Sequence, residues 1–339
     1  MSQILLHGAV LIFAMSSWLS INAFFTQLPI LANVVPESWN IASYLVLIIQ
    51  ISCIIPFLYG VMKHRLPKFV KAYENYFILV MLVLTCVGLF LSTFAFKDRW
   101  HVFGAETINN VTGHIDFIID ARLSFEHFMY IVASCGILSI FAFFYLIHWV
   151  RYNSGDHTPA QFEAVETVDV EKKPVLFGTR MAWLLTLSFC VGALQNSVVP
   201  VLLQYAAQAY GQETYHLANT LFVMTNPLFC LLQLFILIEK IRYFVILFVG
   251  SMLPTIFIAV LSCLTTKVQW AGIEAILCIC AGLSAGLLSW SKTALAQSLR
   301  ASEHPRALFW CGAAIQTGSC VGALVMFCMA NLLHLFPGS

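Results

Sequence analysis

Three apolar runs of this chain each set a carboxamide close to a proline. Asn22 and Gln27 precede Pro29, Gln195 and Asn196 precede Pro200, and Asn226 directly precedes Pro227. A carboxamide in hydrocarbon costs free energy until it finds a hydrogen-bond partner. Proline adds to the demand. It has no N–H, so the carbonyl four residues earlier loses its helical donor. Those carbonyls belong to Phe25, Asn196 and Val223. Backbone of this kind is tolerated at membrane depth only where protein or a watery cavity surrounds it. The chemistry on offer is hydrogen bonding to an uncharged, polar solute. Two readings are open: the amides line a cavity, as in transporters built on interrupted helices, or they join helix to helix as packing contacts. Asn22 and Gln27 are five residues apart, about 140° around a regular helix. They share a cavity only if a kink or unwinding at Pro29 brings them round, whereas Trp18, Asn22, Phe25 and Pro29 share a face more naturally.

Other polar residues are weighed the same way. Lys292, in "SWSKTALAQSL", is the clearest charge near a span. It either snorkels to water at the inner boundary or lines the mouth of a cavity. Gln316 lies among Gly312, Gly318 and Gly322. Small residues at this spacing let helices approach closely, so packing is the default reading there. Glu239, Glu274, His7 and His148 fall near span ends and read as interfacial. All eleven cysteines lie in apolar runs or at their ends and read as small core residues. Cys278 and Cys280 make C-x-C, which is not a zinc spacing. The chain contains no H-E-x-x-H, P-loop or G-x-G-x-x-G, no intramembrane Asp pair and no embedded His–Asp set. No catalytic residue, metal ligand or cofactor is expected, and the chain is not read as an enzyme.

The elements that must position these residues are membrane helices. Hydrophobic residues make up 60% of the chain and charged ones 10%, against about 25% charged in a soluble domain. A net charge of +1 gives no argument for nucleic acid; the expected surroundings are a lipid bilayer. About 20 apolar residues cross the hydrocarbon core as a helix. Nine runs qualify, near 5–33, 41–62, 76–96, 125–150, 179–206, 214–238, 242–265, 269–298 and 307–335. The expected fold is therefore all-α, a polytopic membrane helix bundle of nine spans. Lys and Arg near span ends set its orientation. With the N-terminus inside, twelve of them lie inside and four outside (Lys97, Arg99, Arg122 and Lys267), Lys292 being left uncounted. The C-terminus then ends outside. The sequon Asn110-Val111-Thr112 falls in the outside loop 97–124, which makes Asn110 the expected glycosylation site. The N-terminus has no basic n-region and no A-x-A site, so it reads as a first span rather than a signal peptide. Residues 1–150 form a four-span half, 151–178 an acidic cytoplasmic linker and 179–339 a five-span half.

At the residues already named, the sequence resembles the riboflavin transporter family of solute carriers. "SSWLSINAFFTQLPILANVVPESWNIASYLVLIIQ" is similar to that family's first two spans, G-S-W…N-G-[IL]-W-x-E-L-P followed by L-P-E-G-W-x-L-P-S-Y. "QNSVVP", "YHLANTLFVMTNPLFCLL" and "ALFWCGAAIQTGSCVGALVMF" resemble its later T-N-G-V-L-P, Y-H-L-A…A-N-P and A-I-Q-x-G-S-x-x-G-A blocks. Lys292 matches a lysine in the family's penultimate span. The likeness covers roughly 5–62 and 180–330. Gln27 stands where the family has glutamate, and Ala23 and Phe25 replace its glycine and tryptophan. Family members have eleven spans; the fourth and fifth have no counterpart between Phe96 and Phe125. Losing two spans preserves parity, so later segments keep their side.

The resemblance implies facilitated, ATP-independent uptake of riboflavin at the plasma membrane by two halves rocking about a midplane site. Riboflavin is an uncharged tricycle with a uracil-like edge and a chain of hydroxyls, a match for aromatics and amides rather than buried ion pairs. Asn22, Gln27, Asn196 and Asn226 would hydrogen-bond it, Trp18 and Phe25 would flank its ring, and Lys292 and Gln316 complete the expected substrate-binding set. The absent hairpin implies an alternative: a shortened isoform or paralogue that does not transport and acts as a binding or regulatory membrane protein.

Overall fold

The computed structural model describes residues 2–34, 38–95, 125–153, 178–236, 238, 240–264, 267–301 and 307–336. Asn110 and all but the ends of the acidic linker lie outside the described residues, as does the side chain of Trp18. Among the described residues there is no strand. The helices are α1 (Ser2–Val34), α2 (Ile41–Ser52), α3 (Ile54–Arg65), α4 (Pro67–Ala95), α5 (Phe125–Asn153), α6 (Thr179–Ala193), α7 (Val199–Gln208), α8 (Gln212–Phe235), α9 (Ile241–Ser262), α10 (Ile273–Arg300) and α11 (Ala307–Phe327). Each of the nine expected runs is helical, because a helix satisfies its own backbone where no water does.

By length and apolar composition, six helical stretches among the described residues can cross a membrane: 68–93, 127–150, 179–208, 241–262, 273–300 and 307–332. A seventh follows if α1 is one bent span. The second expected run is interrupted at Cys53, which separates α2 from α3, and α8, with Pro227 inside it, is not among the six. The bend in α1 is 42°, between Ile4–Ser16 and Leu19–Ala32. It lies well before the proline at which a kink was expected. Serine explains the position. Ser20 Oγ donates to the Ser16 carbonyl at 2.8 Å, and such back-bonding competes with the helical ladder and bends it.

Contacts divide the chain into two compact units, Met1–Gln27 with Met62–Lys173, and Leu28–Val61 with Pro174–Ser339. Residues 28–61 thus pack with the C-terminal helices. In the first unit Ser16 donates to Ser139 at 2.9 Å, and Phe13 stacks on Phe143 with ring centroids 5.5 Å apart. Gly136 lets α5 approach the Cys86 thiol of α4, where a Cβ would stand 2.8 Å from Sγ. The outward face of α4 presents Tyr76, Val80, Leu84 and Leu91 uncovered, a surface suited to lipid.

The second unit is tied at one end by amides. Gln204 is fully buried on α7, and its Oε1 accepts the Ala42 N–H at 2.9 Å. That N–H belongs to the first turn of α2, which has no intrahelical acceptor for it. Tyr205 donates to Asn40 Oδ1, Asn331 Nδ2 to Ser43 Oγ at 2.8 Å, and Gln212 Nε2 to the Pro29 carbonyl at 3.2 Å. Trp39 packs against Tyr215 and Lys267 against the Tyr210 ring. Gln204→Leu leaves the Ala42 donor stranded. It is expected to lower stability by about 1–2 kcal/mol, read as a lower melting temperature of the detergent-purified chain; an unchanged melt would show that the amide is dispensable.

Candidate carboxamide site in the second unit

Between α6 and α7 the helix widens into a π turn over Leu194–Val198. Its residue-five spacing is seen at Val199, whose N–H reaches the Leu194 carbonyl. The extra residue absorbs the proline: Pro200 has no N–H to give, and the wider turn carries the chain past that gap. Neighbouring residues on a helix point about 100° apart, so Gln195 and Asn196 face different helices.

Gln195, 5% exposed, turns to α8 and α10. Its Nε2 donates to Asn226 Oδ1 at 2.9 Å and to Ser289 Oγ. Ser289 spends its single hydroxyl proton on the same Asn226 Oδ1. The three residues close a ring of hydrogen bonds near the middle of three helices. With Asn226 Oδ1 facing it, the Gln195 amide presents Nε2 to the ring. Gln195 Oε1 is left buried with no donor. An unmet buried acceptor costs about 1–3 kcal/mol.

Asn196 turns to α11 instead. Its Nδ2 donates to Ser319 Oγ at 2.9 Å; Ser197 Oγ donates to the Ser319 carbonyl at 2.6 Å, and Ser319 Oγ to the Gly192 carbonyl at 3.0 Å. This seam is tight. A Cβ on Gly192 would lie 2.4 Å from the Ile315 oxygen, and one on Gly318 only 2.0 Å from the Phe189 oxygen. Helix-to-helix bonding is therefore the role the structure gives Asn196. The small-residue packing expected around Gln316 holds for Gly318 and Gly322, while Gly312 meets nothing within 4 Å.

The remaining expected residues are spread out. Gln316 is exposed on α11, away from the ring. Lys292, half-buried, lies three residues beyond Ser289 on α10, and no acidic side chain pairs with it among the described residues. In the first unit Asn22 and Phe25 are half-buried and Gln27 is buried, with Oε1 lacking a donor. Ser289 was not anticipated, because serine is common in close-packed membrane helices and carries no signal of its own. A second amide set was also missed: Gln233 Nε2 donates to Gln297 Oε1 and Trp290 Nε1 to Gln233 Oε1, each at 2.9 Å. Gln233 and Gln297 each lie about two turns along from Asn226 and Ser289, and that spacing on two neighbouring helices was the legible clue.

An all-helical chain with several helices long and apolar enough to cross a membrane, and with uncharged polar groups buried between them, is a multi-pass membrane protein. This one belongs to solute carrier family 52, the riboflavin transporters, whose family model matches residues 2–111 and 106–338. It is 24% identical to riboflavin transporter rft-2 of Caenorhabditis elegans, over 97% of this chain and 96% of the relative. It is 26% identical to solute carrier family 52, riboflavin transporter, member 3, of Homo sapiens, over 99% of this chain and 97% of the relative. The member 3 protein of Ailuropoda melanoleuca is 34% identical over 57% of this chain and 42% of its own length. No solved structure matches. The alignment with the nematode relative is 465 positions long against 339 residues here, so over a hundred positions of that relative have no counterpart. The two pieces of the family match meet at 106–111, inside the segment where two spans were expected to be absent.

Proposed function

We propose that this chain is a plasma-membrane carrier for facilitated, ATP-independent uptake of riboflavin. The observation that carries this reading is the ring of Gln195, Asn226 and Ser289, three uncharged polar side chains drawn from three helices at a broken turn near mid-span. Such a place binds an uncharged solute with hydrogen-bonding edges and holds no buried charge to repel it. The relatives' printed names supply the substrate. Asn226, in the ring, and Lys292, three residues beyond Ser289 on α10, belong to the proposed substrate-binding set; Trp18, Asn22, Phe25 and Gln27 of the first span are further proposed contacts.

The proposed topology has nine spans, the N-terminus inside, the C-terminus outside, a cytoplasmic linker at 151–178 between halves 1–150 and 179–339, and an N-glycan on Asn110. Alternation is supported by the residues gathered at one end of the second unit: Trp39, Tyr210 and Lys267 fall in stretches that the charge count puts outside, and Pro29 and Asn331 lie at the adjoining span ends. Labelled riboflavin uptake into cells expressing the chain, with surface delivery checked, tests the function. Saturable uptake above vector supports it. Absence of uptake at full surface density favours the second reading, a non-transporting binding or regulatory relative, which the positions lacking a counterpart also favour.

Position 27 sets the pH response. Glutamine does not titrate, so uptake by this chain is expected to vary little with pH on account of this position. Gln27→Glu places a carboxyl at a buried site and is expected to introduce a pH-dependent profile; a profile identical to the parent's would remove position 27 from any coupling.

A further inference from the structure

Gln195 is the residue whose hydrogen-bonding capacity the protein leaves conspicuously incomplete. Both of its N–H groups are committed, one to Asn226 and one to Ser289. The Ser289 proton goes to Asn226, so no hydroxyl in the ring can turn to serve Gln195 Oε1. That oxygen is buried and has no donor, on a side chain only 5% exposed. A desolvated, unserved carbonyl is a ready acceptor: a solute N–H that reaches it as the helices part to admit the solute meets little competing water.

We propose that Gln195 Oε1 is a specificity-determining acceptor for the imide N–H of a flavin-type solute. The inference rests on the riboflavin reading above and deepens it. The uracil-like edge carries one N–H flanked by two carbonyls. Replacing that N–H by N-methyl removes the donor and puts a methyl group against the buried oxygen. A site built around an acceptor rejects the analogue that lacks its donor, because the protein oxygen is then left unpaired.

The test measures binding, so that it does not depend on transport. The full-length protein is purified into nanodiscs and titrated with riboflavin and with N3-methylriboflavin, reading flavin fluorescence. Gln195→Met, of similar length and without the amide, is titrated in parallel. The expected result is that the parent binds riboflavin about tenfold or more tightly than the methylated analogue, and that Gln195→Met binds the two equally. The parent's own preference needs no variant to fold, so a misfolded Gln195→Met does not blunt the test. Equal binding of the two flavins by the parent overturns the proposal, as does a full preference retained in a folded Gln195→Met. Failure to bind either flavin also overturns it. Discrimination in nanodiscs without uptake in cells would sustain the proposal while rejecting the carrier reading.

Discussion

Gly318→Val is expected to prevent assembly of the second unit. A Cβ at position 318 would sit 2.0 Å from the Phe189 carbonyl oxygen, 2.8 Å from its carbon and 3.0 Å from its Cα. All three are backbone atoms, so no rotamer change relieves the clash and α6 must move away from α11. Separation breaks the seam's bonds from Asn196, Ser197 and Ser319 as well. Overpacking costs about 1–3 kcal/mol, and the lost hydrogen bonds add about 1 kcal/mol each, so the sum is on the order of 4 kcal/mol. That is a large part of a typical folding free energy. The readout is loss of the monodisperse peak on size exclusion and loss of surface delivery. Gly312→Val is the control: nothing lies within 4 Å of its Cβ, and it should behave as the parent. A Gly318→Val protein with the parent's melting temperature would refute the close approach of these helices.

Asn226→Leu is the second large effect, and it strikes the ring. Asn226 Oδ1 is the common acceptor for Gln195 and Ser289. Leucine leaves both donors buried without an acceptor, at about 1–3 kcal/mol each, toward the lower figure where membrane neighbours offer substitutes. Stability should fall by about 2–4 kcal/mol. Riboflavin uptake per surface copy should fall at least about tenfold, because Gln195 is no longer aimed. Asn226→Asp keeps an accepting oxygen of the same reach, and two donors already face it, so it should retain the fold. Uptake by Asn226→Leu equal to the parent's at equal surface density would detach the ring from function.

The pattern of what the sequence revealed follows from the range of the interactions involved. Apolar length is a local property, and all nine runs were legible as helices from it. Asn226 was legible because an amide beside a proline is conspicuous in an apolar run. Its partner was not: Ser289 is distant in sequence, and only the packing of α8 along α10 brings it near. The π turn was invisible for a similar reason. The sequence shows Pro200 but not how the chain absorbs it, so Asn196 was favoured over its neighbour Gln195, and the structure gives the ring to Gln195 and the close-packed seam to Asn196. In α1 the proline drew attention while the bend lies at the serine-rich stretch where Ser20 back-bonds to the Ser16 carbonyl. The end of the second unit, where Gln204 holds the first turn of α2, depends on partners more than 160 residues apart and left no local trace.

The most direct test of a riboflavin carrier built around that ring is flux through the purified full-length chain in liposomes, without ATP. The account predicts saturable entry of labelled riboflavin, accelerated by unlabelled riboflavin inside, and strongly reduced in Asn226→Leu. Liposomes that bind riboflavin yet admit it no faster than protein-free vesicles would contradict it.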